Sequence, residues 1–542
     1  MYPDGIAKGE SDMGTYLNPG KIGFAKISKG EYVDKTGLIR LMNEKIDGPN
    51  SLVCISRPRR FGKSYAAKML CAYYDFTCDS NDLFQDKEIA SAESYERHLN
   101  KYHVISLDIT GFISKLKSGE PLSSVPDKIV SALHDELVSL YPDFSGAKDL
   151  SECLIQCVRK TGRQFVFVID EWDALIREAK DDKKTQDAYL RLLRGWFKNN
   201  NFTPEVIAAA YMTGILPIKK DGSQSAISDF AEYPILDPGK FAEYTGFTLN
   251  EVRCLCVKHG MSFEKARSWY DGYDFPEVGP IYNPYSIMEA IDKGRFASYW
   301  KKTSAAESLL TYINMDFDGL QQITARLISG EEISVDIERF QNDFETFRSK
   351  DDILTLLIHL GYLTYNQEKK SARIPNEEVR LEFDEILTSR NISRKWVELL
   401  RDSQKLLSDT INGDEAAVAK GIEAVRKKEY APTFYNDKQA LRYVIKFAYI
   451  ACIGQYAKIE ELPSGRGIAD VVYIPKKFSH LPALLIELKW NTTAAAAVSQ
   501  IEENDYPAVL KELEGEILLV GIGYYERTKE HTCRIKKVEG KR

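Results

Sequence analysis

The sequence predicts an α/β protein built in sections: an N-terminal parallel sheet with a helical lid, a winged-helix-like middle and a C-terminal α/β unit. Three observations carry that expectation. In the N-terminal part, apolar runs of strand length alternate with helix-period stretches, the pattern of a parallel sheet covered on both faces. The stretch Ile55–Leu70, ISRPRRFGKSYAAKML, passes from an apolar run through a Pro/Arg/Gly turn into a helical pattern. Towards the C-terminus, GRGIADVVYIPKK and PALLIELKW read as two strands with charges at their ends.

The chain has 542 residues, 44% hydrophobic and 28% charged, a soluble globular profile with room for two to four domains. No apolar run approaches the roughly 18 residues that span a bilayer. The polar start MYPDGIAKGESDMG has no apolar signal-peptide core. No membrane partner is expected. Nine scattered cysteines without a C-x-x-C pair suit reduced thiols in a cytoplasm, and seven scattered histidines form no metal cluster. The net charge of -7 makes no overall case for nucleic acid, although residues 431–542 are net positive by two.

In order along the chain, Leu52 to Ile55 is the first apolar strand. A helix follows with Ala66, Ala67, Met69, Leu70 and Tyr73 on its periodic face. YHVISLDITG is a short strand ending in a polar turn. Phe165 to Ile169 is a fully buried strand closed by Asp170 and Glu171, and EVIAAAYMTGI is a fourth, ending at Thr213.

Strand, loop, helix is the setting of a phosphate-binding loop, and Phe61-Gly62-Lys63-Ser64 matches the second half of G-x-x-x-x-G-K-[ST]. Arg57 stands where the pattern begins with glycine. A side chain in that tight turn is expected to cost on the order of 1 kcal/mol. The later amides, the Lys63 ammonium and the helix N-terminus remain as phosphate donors. Arg59 and Arg60 add charge. Asp170, about a hundred residues on, is the expected carboxylate for Mg2+. Glu171 beside it is the candidate to polarise an attacking water. Either motif alone reads equally as a helix start with a stray lysine or a solvated strand end; together and in this order they point to a nucleotide site.

RPRRFGKS resembles the phosphate loop of the AAA-ATPase-like family of bacteria, in which the first glycine is commonly absent. YVDKTGLI, FVFVIDEWDALI, YMTGILPI, ARSWYDGYDF and IYNPYSIMEAI resemble further landmarks of that family, in order, over about residues 20–310. The resemblance implies a P-loop ATPase fold with ATP and Mg2+ as cofactors. It implies Arg60, Gly62, Lys63, Ser64 and Asp170 as nucleotide-site residues, Ser64 and Asp170 also on the metal, and Thr213 as a sensor at the end of the fourth strand.

Farther on, Ile353 to Leu360 has a helical period, broken at Gly361 and followed by two β-like segments, a winged-helix-like order. Residues from about Glu385 to Lys428 are charged and helix-forming and read as a connector.

In the C-terminal part Asp470 opens one apolar strand. Glu487 and Lys489, two apart on the next, leave the same face. Two carboxylates on adjacent strands can hold one or two Mg2+, and a neighbouring lysine can orient or deprotonate water for attack on a phosphodiester. Solvated charges on a strand pair are the plainer reading, weakened because the run around Glu487 is otherwise buried. These residues resemble the signature of the PD-(D/E)XK nuclease superfamily, over roughly residues 431–530. The resemblance implies a restriction-endonuclease-like fold with Asp470 and Glu487 on the metal and Asp470, Glu487, Lys489 and Gln500 in catalysis. Tyr506 matches a tyrosine of the same branch. The glutamate which that branch presents from its first helix is matched here by Gln439 in NDKQALRY.

The expected domains are 1–235, a P-loop ATPase-like domain; 236–330, the helical lid; 331–385, the winged-helix-like unit; 386–430, a helical connector; and 431–542, the nuclease-like domain. The expected function is an ATP-binding and ATP-hydrolysing cytoplasmic regulator fused to a Mg2+-dependent nuclease, with DNA favoured over RNA. By analogy of fold its use is defence against, or processing of, foreign or mobile nucleic acid. The alternative, from another class, is an ATP-dependent switch whose nuclease-like domain only binds nucleic acid or a partner. A homo-oligomer is compatible with either.

Overall fold

The computed structural model describes residues 14–218, 227, 229–276, 278–300, 320–328, 330–338, 340, 349–388, 394–429, 435, 437–454, 456–464, 467–475, 481–504 and 515–539. It divides into two units. One comprises Met1–Trp300 with Val335–Glu378, the other Lys301–Ser334 with Val379–Arg542.

In the first unit β1 (Leu52–Ser56), β2 (His103–Asp108), β3 (Phe165–Asp170), β4 (Ile207–Gly214) and β5 (Ala231–Tyr233) form one sheet in the order β2-β3-β4-β1-β5, every neighbouring pair parallel. Alternation along β3 fills two cores. Phe165, Phe167 and Ile169 pack with Leu133, Leu154 and Trp196 on one face, and Val166 and Val168 with Met69, Leu70 and Tyr211 on the other. The helix Lys63–Tyr74 leaves β1 through the loop with nine of its twelve residues buried, which is why its sequence is apolar nearly all round. With β3 and β1 on either side of β4, the loop and the Asp170 strand end meet at the carboxyl edge of the sheet, where open α/β sheets bind ligands.

After β5 the chain forms the helices Leu249–Lys258, Phe263–Tyr270 and Pro284–Lys293. The region expected as a helical lid also contains a three-stranded antiparallel sheet of Phe247–Thr248, Gly279–Tyr282 and Tyr273–Phe275. Runs of two to four residues are too short to show a period, and their aromatic residues suit strands as well as helix faces. The helix Lys350–Leu360 opens on a Ser349/Asp352 capping box and stops at Gly361, and an antiparallel hairpin of Thr364–Asn366 and Ser371–Arg373 follows. This stretch groups with the first unit.

The second unit carries the helices Arg394–Asn412, Glu415–Glu429 and Lys438–Ala448. A five-stranded mixed sheet follows: β6 (Tyr456–Ser464), β7 (Gly467–Pro475), β8 (Ala483–Trp490), β9 (Glu516–Tyr525) and β10 (Glu530–Glu539), paired in chain order. β6, β7 and β8 form an antiparallel meander. The helix Ala494–Glu503 lies between β8 and β9 in the chain and lets β9 run parallel to β8, and β10 returns antiparallel. That helix lies close on the sheet. A Cβ at Gly521 would come 2.9 Å from Val498 and 3.0 Å from Ala497, so only glycine on β9 lets the alanine-rich helix sit where it does.

Candidate functional site

Arg57 is not the residue in the strained turn. Within the loop it is Arg60 and Gly62 that take positive φ, 69° and 84°. Arg57 is instead fully buried. Its Nη1 donates to the carbonyls of Ser56 (2.9 Å) and Tyr233 (2.6 Å), and its guanidinium lies 5.3 Å from the Phe275 ring. The side chain standing where the pattern has glycine ties the loop to β5. Arg60 donates to the Tyr299 carbonyl at 2.5 Å and stacks 4.2 Å from the Tyr285 ring.

Gly62 is the left-handed N-cap of the following helix, a conformation that glycine adopts without strain, and Lys63 is that helix's first residue. Lys63 is 4% exposed. Its Nζ donates to the carbonyls of Arg57 (3.1 Å) and Pro58 (2.9 Å) and lies 3.7 Å from Glu171 Oε1. Burial pulls the ammonium's pKa down, and the charges of Glu171 and Asp170 oppose it. Burial pushes the Asp170 carboxyl up to about 6, against a lowering hydrogen bond from Ser64 and the charge of Lys63. Ser64 and Asp170, two hard oxygen donors from separate elements, line the same cavity.

Glu171 has a left-handed backbone, φ 50°, and its Oε2 accepts from Arg177 Nη2 at 2.6 Å. Asp173, 1% exposed, accepts from the amides of Ile215 (3.2 Å) and Leu216 (3.0 Å) and from Arg177 Nε (3.0 Å), fixing the turn after β4. The sequence reading did not single out Asp173 or Arg177. Their signal was the i,i+4 spacing within DEWDALIR, which puts both on one helical face.

Arg60, Gly62, Lys63, Ser64, Asp170, Glu171 and Arg177 all line one cavity of about 670 Å³, a volume suited to a small ligand. Asp108, the register partner of Asp170 on β2, lines it too, and Tyr32, Phe247, Pro284, Tyr285 and Met288 supply an apolar wall. Thr213 does not line the cavity. Its hydroxyl is buried without a hydrogen-bond partner.

In the second unit the register of β7 on β8, which pairs Val471 with Ile486, brings Asp470 level with Glu487. Both are 2% exposed. Gln500 Nε2 donates to Glu487 Oε1 at 3.0 Å, and Lys489 Nζ donates to Gln500 Oε1 while lying 4.0 Å from Glu487. Asp470, Glu487, Lys489 and Gln500 thus meet at one place. Burial, with the Asp470 charge next, raises the Glu487 pKa, and Lys438 and Lys489 oppose the rise.

Gln439 does not face this cluster; it is exposed. Its neighbour Lys438 does, with Nζ 2.8 Å from Asp470 Oδ2 and 3.7 Å from Glu487 Oε1. One turn on, Arg442 Nη2 lies 2.6 Å from Asp470 Oδ1. The helix phase is set at Asp437, whose side chain caps the Ala440 amide at 2.7 Å and turns Ala440, Leu441 and Val444 into the core. Tyr506 lies outside the described residues. Among the described residues no group of three or more His, Cys, Asp or Glu side chains could hold a metal ion, and no helix is long and apolar enough to cross a membrane.

Among solved structures, the Walker-type ATPase of Pyrococcus abyssi is 11% identical and covers 65% of this chain and 96% of its own, with a TM-score of 0.33. The ORC2 protein of Aeropyrum pernix, in ADPNP–ADP complexes, is 11% identical and covers 67% and 97%, also with a TM-score of 0.33. A protein of Azotobacter chroococcum mcd 1, described as an uncharacterized protein in the vnfD 5′ region, is 21% identical over 532 residues, 92% of this chain and 95% of that protein. Over residues 20–223 the chain matches the model of the AAA-ATPase-like family, whose description is "Predicted AAA-ATPase".

Proposed function

We propose that the first unit binds and hydrolyses ATP and thereby regulates a second unit that engages nucleic acid. The observation that carries the first half is the meeting of Lys63, Ser64, Asp170 and Glu171 around one cavity, in a segment that matches the AAA-ATPase-like model. On this reading Lys63 exchanges its loop carbonyls for nucleotide phosphates, and the apolar wall with Tyr285 takes the base. Ser64 and Asp170 are chemically suited to Mg2+, which would add charge neutralisation at the phosphates. On the same reading Glu171, which pairs with Lys63 at 3.7 Å, is released from it to polarise the attacking water.

For the second unit, the helix–meander–helix–strand order and the convergence of Asp470, Glu487, Lys489 and Gln500 favour a phosphodiester site of nuclease type, which as an active nuclease would need Mg2+. A specific observation favours the alternative, a switch that binds without cutting. Lys438 and Arg442 already occupy the carboxylates. DNA is the favoured substrate or ligand on either reading, and the cytoplasm the favoured compartment.

Calorimetric titration with ATP, with phosphate release followed in parallel, tests the first half; no heat and no turnover would overturn it. Incubating the protein with plasmid and Mn2+, with and without ATP, separates the cutter from the binder.

A further inference from the structure

The carboxylate pair of the second unit is already neutralised by the chain itself. Asp470 and Glu487 are buried, so their charge has to be balanced inside the site. Asp470 Oδ1 accepts from Arg442 at 2.6 Å, and its Oδ2 accepts from the Leu488 amide at 2.9 Å and from Lys438 at 2.8 Å. Glu487 Oε1 takes the Gln500 amide at 3.0 Å and has Lys438 at 3.7 Å and Lys489 at 4.0 Å. Three cations therefore surround two carboxylates.

A Mg2+ ion needs oxygen ligands at about 2.1 Å in a near-octahedral set, and its double charge repels neighbouring cations. As they stand, these residues do not fit a divalent metal. Asp470 Oδ1 and Oδ2 and Glu487 Oε1 already have partners, among them the cations Arg442 and Lys438, and among the described residues no third acidic side chain joins the pair.

We infer that the Lys438 ammonium is the resident cation of this site: it bridges Asp470 and Glu487 where a divalent ion would have to sit, and keeps the site metal-free. The inference rests on reading Asp470, Glu487, Lys489 and Gln500 as a phosphodiester site of nuclease type. The position of Lys438 is built into the fold, because the Asp437 cap and the buried Leu441 and Val444 fix the helix phase that aims Lys438 and Arg442, one turn apart, at the carboxylates. The replaceable part is the side chain of Lys438. It is 43% exposed, against 13% for Arg442, so it reaches the pair from the solvent side. Exchanging it removes the bridging charge without opening the core, and a carboxylate at this position would supply the missing third acidic ligand.

The test uses the full, nucleotide-free chain stripped with EDTA. Mn2+ is titrated by calorimetry and by the loss of its free-ion EPR signal into wild type, Asp470→Asn, Lys438→Gln, Lys438→Glu and the double variant Lys438→Glu/Asp470→Asn. Wild type is expected to show no Asp470-dependent Mn2+ site. Lys438→Gln should show a Mn2+ site at least tenfold tighter than any residual Mn2+ binding by wild type. Lys438→Glu should gain one Mn2+ per chain, a gain the double variant loses, and its Tm should rise with Mn2+ while that of wild type does not. Should Lys438→Glu fail to fold without metal, the Lys438→Gln comparison decides. An Asp470-dependent Mn2+ site in wild type, as tight as in either single variant, overturns the inference. Binding of a labelled DNA duplex in EDTA, compared between wild type and Lys489→Ala, tests the underlying phosphodiester reading by itself: a Mn2+ gain in the Lys438 variants with no DNA binding by any of them would keep the resident cation and remove that reading.

Discussion

Each unit sets a lysine against a pair of acidic groups, at and just past the end of β3 in the first unit and within β7 and β8 in the second, and in each the lysine is the first residue of its helix, where the helix dipole disfavours a cation. The two arrangements differ in what surrounds the ammonium. Lys63 is buried, rests on two backbone carbonyls, stands 3.7 Å from Glu171 and adjoins a cavity of about 670 Å³. Lys438 is half-exposed and makes a direct 2.8 Å contact with Asp470. An ammonium held mainly by carbonyls beside open volume can be handed to a phosphate with little rearrangement. One that bridges carboxylates has to be displaced before anything else enters. On the proposed reading the same residue types thus give a poised site in one unit and a closed one in the other.

The largest expected effect tests the poised side. Lys63→Ala should lower ATP affinity by about 100-fold or more, since the cation for the phosphates is gone. Stability should change little, because Glu171 keeps its 2.6 Å pair with Arg177. Calorimetry on the folded variant reads this directly, and undiminished affinity would leave Lys63 serving only its loop carbonyls and Glu171. Next, on the closed side, Asp470→Ala removes the anion shared by Arg442, Lys438 and the Leu488 amide and should cost about 3–5 kcal/mol, with Asp470→Asn costing less. Denaturant unfolding measures it; a loss under about 1 kcal/mol would mean that the cluster contributes little to holding the second unit together.

Glu171→Gln should leave ATP affinity within about threefold and slow hydrolysis by about 100-fold, the usual range for losing a group that polarises water. Equal turnover would remove Glu171 from the chemistry and leave its pairs with Lys63 and Arg177 as its role. The pH dependence follows from Asp170. Its folded carboxyl is raised to about 6 from 3.8, so between those values the folded state holds more protons than the unfolded one. Asp170 therefore destabilises the fold progressively as pH rises from about 4 to above 6, by at most about 3 kcal/mol. Asp170→Asn should gain stability relative to wild type over that interval, and a difference independent of pH would show that Asp170 does not titrate there.

The strands and the phosphate loop were legible because their signal is local: a buried run of five or six residues and the Gly62-Lys63-Ser64 turn mean the same wherever they occur. Helix phase was not. Gln439 and Lys438 are adjacent, and only the Asp437 cap together with the burial of Ala440 and Leu441 decides which one looks at Asp470. Arg57 was expected to strain a turn because the motif is written around glycine. Its real partners, the Tyr233 carbonyl and the Phe275 ring, lie 176 and 218 positions along the chain, beyond any local pattern. Gln500 could be paired with Glu487 and Lys489 by resemblance, whereas the reason it reaches them, the glycine on β9 under its helix, is a tertiary fact.

The smallest expected effect concerns Thr213, the residue whose strand position suggested a sensor. Its side chain does not line the cavity, and its buried hydroxyl has no hydrogen-bond partner. Burying an unsatisfied hydroxyl is itself unfavourable, so replacing it with a methyl group of nearly the same shape removes a penalty and creates no hole. Thr213→Val should leave ATP affinity and turnover within about twofold of wild type and leave stability unchanged or raised by up to about 1 kcal/mol. ATP titration and thermal unfolding of the variant check both halves. A loss of turnover with unchanged affinity would show that nucleotide binding swings β4's end into the cavity and gives Thr213 a partner that the nucleotide-free chain lacks. The first site would then be poised by a strand as well as by its loop, and the contrast with the closed second site would widen.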